Sequence, residues 1–146
     1  MKIGIANDHG GFELKQSLTK KLEEQGYTVV DYGSASIERV DYPEYAFKLC
    51  QGVISNEIDF GIAICKTGIG MSIACNKVKG IRCAKIDNEI DAEFSKRHNN
   101  ANVIAISANK TLDEILNLIS IFVSNKFEGD RHLKRLEMIM EYENAH

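Results

Sequence analysis

Short apolar runs alternate with longer helical patterns from one end of the chain to the other. The runs Lys2–Ala6, Thr28–Tyr32, Phe60–Cys65, Ile81–Lys85 and Val103–Ile106 are mostly β-branched or apolar, as strands buried on both faces must be. Helical spacing fills the gaps. Phe12–Gln25 sets Leu14, Leu18 and Leu22 on one face and stops before Gly26, a residue suited to a C-cap. Pro43–Asn56 opens with proline in its first turn and carries Ala46, Leu49, Cys50 and Val53. Ile69–Asn76 is short and apolar, and Glu89–Lys96 is more polar. Leu112–Phe122 repeats Leu112, Ile115, Leu116, Ile119 and Phe122, and Arg131–Tyr142 repeats Leu133, Leu136, Ile139 and Met140.

This order predicts an α/β fold: one domain over residues 1–146, with a five-stranded parallel sheet, helices on both faces and a C-terminal helix. Ligands of such sheets bind beyond the carboxyl ends of the strands. The segments to read for chemistry are therefore Asn7–Gly11, Gly33–Tyr42, Lys66–Gly70, Ile86–Asn88 and Ser107–Lys110.

Composition narrows the classes. With 146 residues, 44% apolar and 27% charged, the chain can bury a substantial core. A net charge of −3 gives no basic excess for nucleic acid. No apolar run approaches the roughly 18 residues that span a bilayer, and the first residues run straight into a strand pattern without a signal-peptide core. The expectation is a cytoplasmic protein with no membrane partner. Cys50, Cys65, Cys75 and Cys83 form no C-x-x-C pair, which argues against a zinc knuckle, a redox dithiol or a disulfide framework. Three of them sit inside apolar stretches as small core residues; Cys65 is followed by a glycine-rich turn.

In Cys65-Lys66-Thr67-Gly68-Ile69-Gly70 a strand ends and a glycine turn opens into a helix. Free backbone N–H groups and the helix dipole make such a turn an anion site, and the same field favours a thiolate beside it. A thiolate next to backbone donors suits proton abstraction beside a carbonyl, with the donors holding the enediolate oxygens. The alternative is an inert buried cysteine before an ordinary turn. Nucleotide and phosphatase loops fail on spacing: Phe60 and Cys65 stand where a Walker loop needs glycine, Ile73 where a dinucleotide fingerprint needs glycine or alanine, and Met71 where a cysteine phosphatase needs arginine.

Four further segments carry candidates, each beside a structural alternative. Asn7-Asp8-His9-Gly10-Gly11 offers Asp8 and His9 to a ligand, or an aspartate that caps a turn. Arg97-His98-Asn99-Asn100 supplies a histidine suited to acid–base work, or a polar surface loop. Gly129-Asp130-Arg131-His132-Leu133-Lys134-Arg135 sets Arg131 and Arg135 on one helical face, able to clamp a phosphate, or forms a solvated basic helix start. Tyr42, in Asp41-Tyr42-Pro43, reads as core or as a cover over the site.

The ordered set Asp8-His9-Gly10-Gly11-Phe12, Asp41-Tyr42-Pro43, Ile64-Cys65 through Ser72, Ala74 through Lys77, Gly80-Ile81-Arg82, His98-Asn99-Asn100, Asn102-Val103 and Gly129-x-Arg131-His132-x-x-Arg135 resembles the type B ribose-5-phosphate isomerases. That family includes the galactose-6-phosphate isomerase subunits. The resemblance implies a Rossmann-like domain working as a homodimer or homotetramer, without metal or cofactor, with its site at a subunit interface. It implies Cys65 as the base between C1 and C2 of the sugar. It also implies His98 as the group that opens the ring, with Asp8 nearby, and Thr67 as a shuttle for hydroxyl protons. The Lys66, Gly68, Ile69 and Gly70 turn would hold the enediolate, His9, Arg131 and Arg135 the phosphate, and Tyr42 and Asn99 the sugar. Two positions depart from the family pattern. Lys66 follows the base where glycine is usual, and Asn109 stands where a basic residue is usual, with Lys110 next to it. Both bear on which aldose phosphate is used, pentose or hexose, more than on the reaction.

Overall fold

A computed structural model describes all residues, 1–146. Five strands form one parallel sheet: β1 (Lys2–Asn7), β2 (Thr28–Asp31), β3 (Phe60–Cys65), β4 (Cys83–Lys85) and β5 (Val103–Ser107), in the order β2-β1-β3-β5-β4. Six helices connect or follow them: α1 (Phe12–Glu24), α2 (Tyr42–Ile54), α3 (Ile69–Cys75), α4 (Glu89–Arg97), α5 (Leu112–Ser124) and α6 (Arg131–Ala145). A short 3-10 turn, His9–Gly11, leads into α1. No helix is long and apolar enough to cross a membrane.

The three central strands explain the two unlike faces of the sheet, because alternate residues point to opposite sides. Ile3, Ile5, Ile62, Ile64, Ile104 and Ile106 face α1 and α5, where they pack with Leu18, Leu22, Ile115, Ile119 and Phe122. The other face is built from small residues: Ala6, Ala63, Cys65 and Ala105, covered by Ala46, Leu49 and Cys50 of α2 and Met71 and Cys75 of α3. Small side chains let these helices sit close. A Cβ added to Gly61 would lie 2.9 Å from Cγ of Leu49. Cys65 is therefore the last inward residue of the close-packed face.

Most boundaries shift by one or two residues from the sequence reading, and two differences are larger or have a clear cause. The edge strand β4 begins at Cys83 rather than Ile81, because the Arg82 amide donates to the Asn102 side chain (2.8 Å) instead of to a ladder carbonyl. Cys83 is accordingly half-buried rather than a core residue, while Cys50 and Cys75 are fully buried. Helix α6 runs on to Ala145 through residues with no apolar repeat.

The strand order reverses between β1 and β3, and a crevice at such a switch point is where α/β sheets bind ligands. The segments after β1 and β3 flank that crevice.

Candidate functional site

Cys65 ends β3 with its side chain nearly buried, and its sulfur accepts a hydrogen bond from the Gly68 amide at 3.1 Å. The turn that makes this bond needs glycine twice over. Gly68 has φ +81°, in the left-handed region, and a Cβ there would lie 3.2 Å from the Ile106 carbonyl carbon.

The walls of the turn are fixed by backbone bonds. Ala108 N donates to Cys65 O (2.9 Å), Ser107 Oγ donates to Lys66 O (2.7 Å), and Asp8 N donates to Ile64 O (3.1 Å). The strand-end segments of β1 and β5 thus clasp the strand-end of β3. Gly10 comes within 3.8 Å of Lys66 N, measured from the Cβ it lacks. The Tyr42 ring lies against Gly70, where a Cβ would meet Cζ at 2.7 Å. Thr67 Oγ1 accepts from Ile69 N at 3.2 Å. Asp8 does cap its turn, with Oδ1 accepting from Gly10 N at 2.9 Å. Its carboxylate is held at the crevice rather than free to roam. His9, Lys66, Thr67 and Ile69 are exposed on the rim.

A buried polar network supports the β1 side. Lys15, 2% exposed, donates to Asp31 Oδ1 (2.9 Å) and to the Ser34 carbonyl (2.5 Å). Asn7 Nδ2 bridges the Asp8 carbonyl (2.6 Å) and Ser34 Oγ (3.3 Å). Sequence reading missed this network, because a lysine at position 15 of an amphipathic helix reads as solvent-facing.

A second cluster forms where α4 ends. His98 is the C-cap of α4. Its ring is stacked between Phe94 (centroids 4.4 Å) and His132 (4.2 Å, 13° between planes). Glu128 faces both imidazoles: Oε2 is 3.5 Å from His98 Nε2, and Oε1 is 3.9 Å from His132 Nε2. Arg97 Nε reaches the same carboxylate at 2.8 Å, and Glu128 N donates to Arg97 O at 2.9 Å. Burial first, then the charges of Arg131 and His98, push the His132 pKa down. Arg131 and Arg135 are exposed on α6, beside this cluster. Arg82 fixes the neighbouring loop by donating to the carbonyls of Asn99 (3.2 Å) and Asn100 (2.9 Å), which leaves the Asn99 side chain exposed.

His98, Glu128 and His132 bring two nitrogens and an oxygen within 4.8 Å of one another. The rings lie face to face, so their lone pairs run side by side rather than toward a common point, and Arg97 already neutralises the carboxylate. This geometry suits proton handling better than a shared ion.

The structure thus sorts the candidates into two groups. Cys65, Lys66, Thr67, Gly68, Ile69, Gly70, Asp8, His9 and Tyr42 meet at the carboxyl ends of β1 and β3. His98, Asn99, Arg131 and Arg135 belong to the opposite end of the sheet. Cys65 pairs with Ser107, the last residue of β5, whereas His98 and Asn99 precede Val103, its first. The length of β5 alone separates the two ends by about 13 Å. Glu128 and Phe94 were not singled out in the sequence, and His132 stood there only as a fixed position of the Gly129-x-Arg131-His132-x-x-Arg135 motif, with no role given to it. The one local signal for Glu128 is its four-residue spacing from His132.

Comparison with known proteins gives the same assignment throughout the chain. Residues 3–139 match the family model described as Ribose/Galactose Isomerase. The ribose-5-phosphate isomerase B of Escherichia coli is 40% identical over 143 residues, covering 97% of this chain and 96% of that protein. The solved ribose-5-phosphate isomerase B of Clostridium thermocellum superposes with a TM-score of 0.96 at 43% identity, covering 99% of each chain. That of Mycoplasma genitalium, solved with bound ribulose 5-phosphate, superposes at 0.94 with 37% identity, covering 99% of this chain and 97% of that one. A thiol seated on a glycine turn at the sheet's switch point, within a fold shared end to end with these enzymes, marks the chain as belonging to the ribose/galactose isomerase family.

Proposed function

We propose that this protein interconverts ribose 5-phosphate and ribulose 5-phosphate, with the Cys65 thiolate moving the proton between C2 and C1. The observation that carries the reading is the 3.1 Å bond from the Gly68 amide to the Cys65 sulfur, at a crevice whose relatives act on this sugar. In the open-chain aldose, Cys65 takes the C2 proton and returns it to C1. Amides of the Lys66–Gly70 turn hold the negative oxygens of the enediolate. Thr67 passes the hydroxyl proton between O2 and O1. C1 is reduced as C2 is oxidised, so the reaction is internally balanced. His98 opens the furanose, with Asp8 close to the sugar. His9, Arg131 and Arg135 bind the phosphate, and Tyr42 and Asn99 line the sugar.

This reading requires two chains. The thiol and the histidine lie at opposite ends of one sheet, so a partner must bring its His98, Asn99, Arg131 and Arg135 to the Cys65 turn. The apolar surface supports such pairing. Ile69 and Ile73 of α3, and Leu133, Met138, Ile139 and Tyr142 of α6, are all exposed. The four free cysteines suit a reducing cytoplasm.

A second reading, a hexose 6-phosphate such as allose or galactose 6-phosphate, draws on Lys66, whose side chain stands on the rim beside the base. The experiment is ketose formation from ribose 5-phosphate, allose 6-phosphate and galactose 6-phosphate, each with Cys65→Ala as control. Pentose turnover that vanishes in the variant supports the first reading. Hexose turnover alone moves the substrate, and none at all would leave a phospho-sugar binding protein.

A further inference from the structure

The surroundings of His98 distinguish its two ring nitrogens. Both ring faces are covered, by Phe94 at 4.4 Å and by His132 at 4.2 Å. The Nε2 edge faces the Glu128 carboxylate at 3.5 Å. Nδ1 makes no hydrogen bond within the chain, and the side chain is 32% exposed. A carboxylate beside one ring nitrogen keeps the proton there and leaves the lone pair on the other. Glu128 is itself held in place from two directions, by Arg97 Nε at 2.8 Å and by its backbone bond to the Arg97 carbonyl. The other charged groups around the ring are Glu93, which pairs with Arg97, and Arg131 and Arg135 on α6.

We infer that Glu128 is a positioning residue for ring opening: it holds the proton on Nε2 of His98, so that Nδ1 is the atom presented to the sugar, while Phe94 and His132 clamp the ring. This deepens the proposed role of His98 and rests on it. The O1–H proton of the furanose passes to the Nδ1 lone pair as C1=O1 forms. The C1–O4 bond breaks with its electron pair left on O4, and the Nδ1 proton then passes to O4. The imidazole ends as it began, and no proton is gained or lost. His132 adds a neutral ring face rather than a second charge. It is buried, and its Nε2 has no hydrogen bond.

Two measurements test this. Ribulose 5-phosphate is an open chain, since its O5 carries the phosphate, so exchange of its C1 hydrogen in D2O needs the Cys65 base but no ring opening. Glu128→Gln should lower conversion of ribose 5-phosphate by roughly 10- to 100-fold while leaving C1 deuterium incorporation within about 3-fold of wild type. His98→Ala should show the same split, and more strongly. If His98→Ala splits the two rates and Glu128→Gln does not, the role given to Glu128 is wrong. If His98→Ala shows no split, the ring-opening role of His98 fails and Glu128 falls with it. A Glu128→Gln variant that loses both rates together overturns positioning in favour of a purely structural role. The second measurement needs no variant. Long-range 1H–15N correlations in the wild-type protein should show neutral His98 as the Nε2–H tautomer, and an Nδ1–H tautomer would overturn the inference.

Discussion

The Gly68 amide points at the sulfur of Cys65 from 3.1 Å, and only glycine can complete that turn. Its φ of +81° costs a side chain about 1–2 kcal/mol, and any Cβ would press on the β5 backbone at Ile106. Gly68→Ala should therefore lower both stability and turnover. We expect kcat to fall at least about 100-fold, because the donor moves off the sulfur and off the enediolate oxygens. Thermal unfolding and steady-state kinetics on the same preparation check this, and unchanged kcat would detach the turn from the chemistry.

Lys66 is on the rim of that turn, and its ammonium makes no ion pair, unlike Lys15, Lys21, Lys48 and Lys85. Lys66→Gly should keep isomerase activity and change the ratio of kcat/KM between pentose and hexose phosphates. A substrate profile identical to wild type would remove Lys66 from specificity.

The sheet was legible because β1, β3 and β5 are buried on both faces, and an unbroken apolar run is the only composition such strands tolerate. The thiol turn was legible because its parts, Cys65 to Gly70, are contiguous. His98 precedes the fifth strand, so chain order already puts it at the amino end of a parallel sheet, away from Cys65; only the resemblance, through a site at a subunit interface, joined the two. The contact of Glu128 was not legible. Glu128 meets His98 only because the segment before α6 is tied to the end of α4 by the Arg97 carbonyl. Nothing local in the sequence records that bond.

Lys15 shows how far the support of the site extends. Its ammonium is buried, but its partner Asp31 is 56% exposed and can be rehydrated, so the cost of losing the pair is well below that of a fully buried one. Lys15→Met should cost about 1–2 kcal/mol by denaturant unfolding. It should also raise KM more than it lowers kcat, because Ser34 and Asn7 position Asp8. An unchanged KM would confine Lys15 to stability.

His132 sets a pH dependence. Its folded pKa lies below the ordinary 6.5, through burial first and then through Arg131 and His98, against the opposing pull of Glu128. The unfolded chain therefore binds a proton that the folded one refuses. Stability is intact above about pH 6.5 and declines as the pH falls through and below that value. Denaturant midpoints between about pH 7.5 and 5.5 should fall less in His132→Gln than in wild type. Equal slopes would contradict the assignment.

The central claim, a thiol base and a ring-opening histidine brought together from two chains, is tested most directly by mixing. Cys65→Ala and His98→Ala, each far below wild type in ribose 5-phosphate turnover, are co-expressed with different tags and the mixed oligomer is isolated. Half of its sites then carry both native residues and half carry neither. For the isolated mixed dimer the account predicts recovery to about half of wild-type turnover. Activity no greater than the sum of the two parents would place both residues in a site within one chain and contradict it.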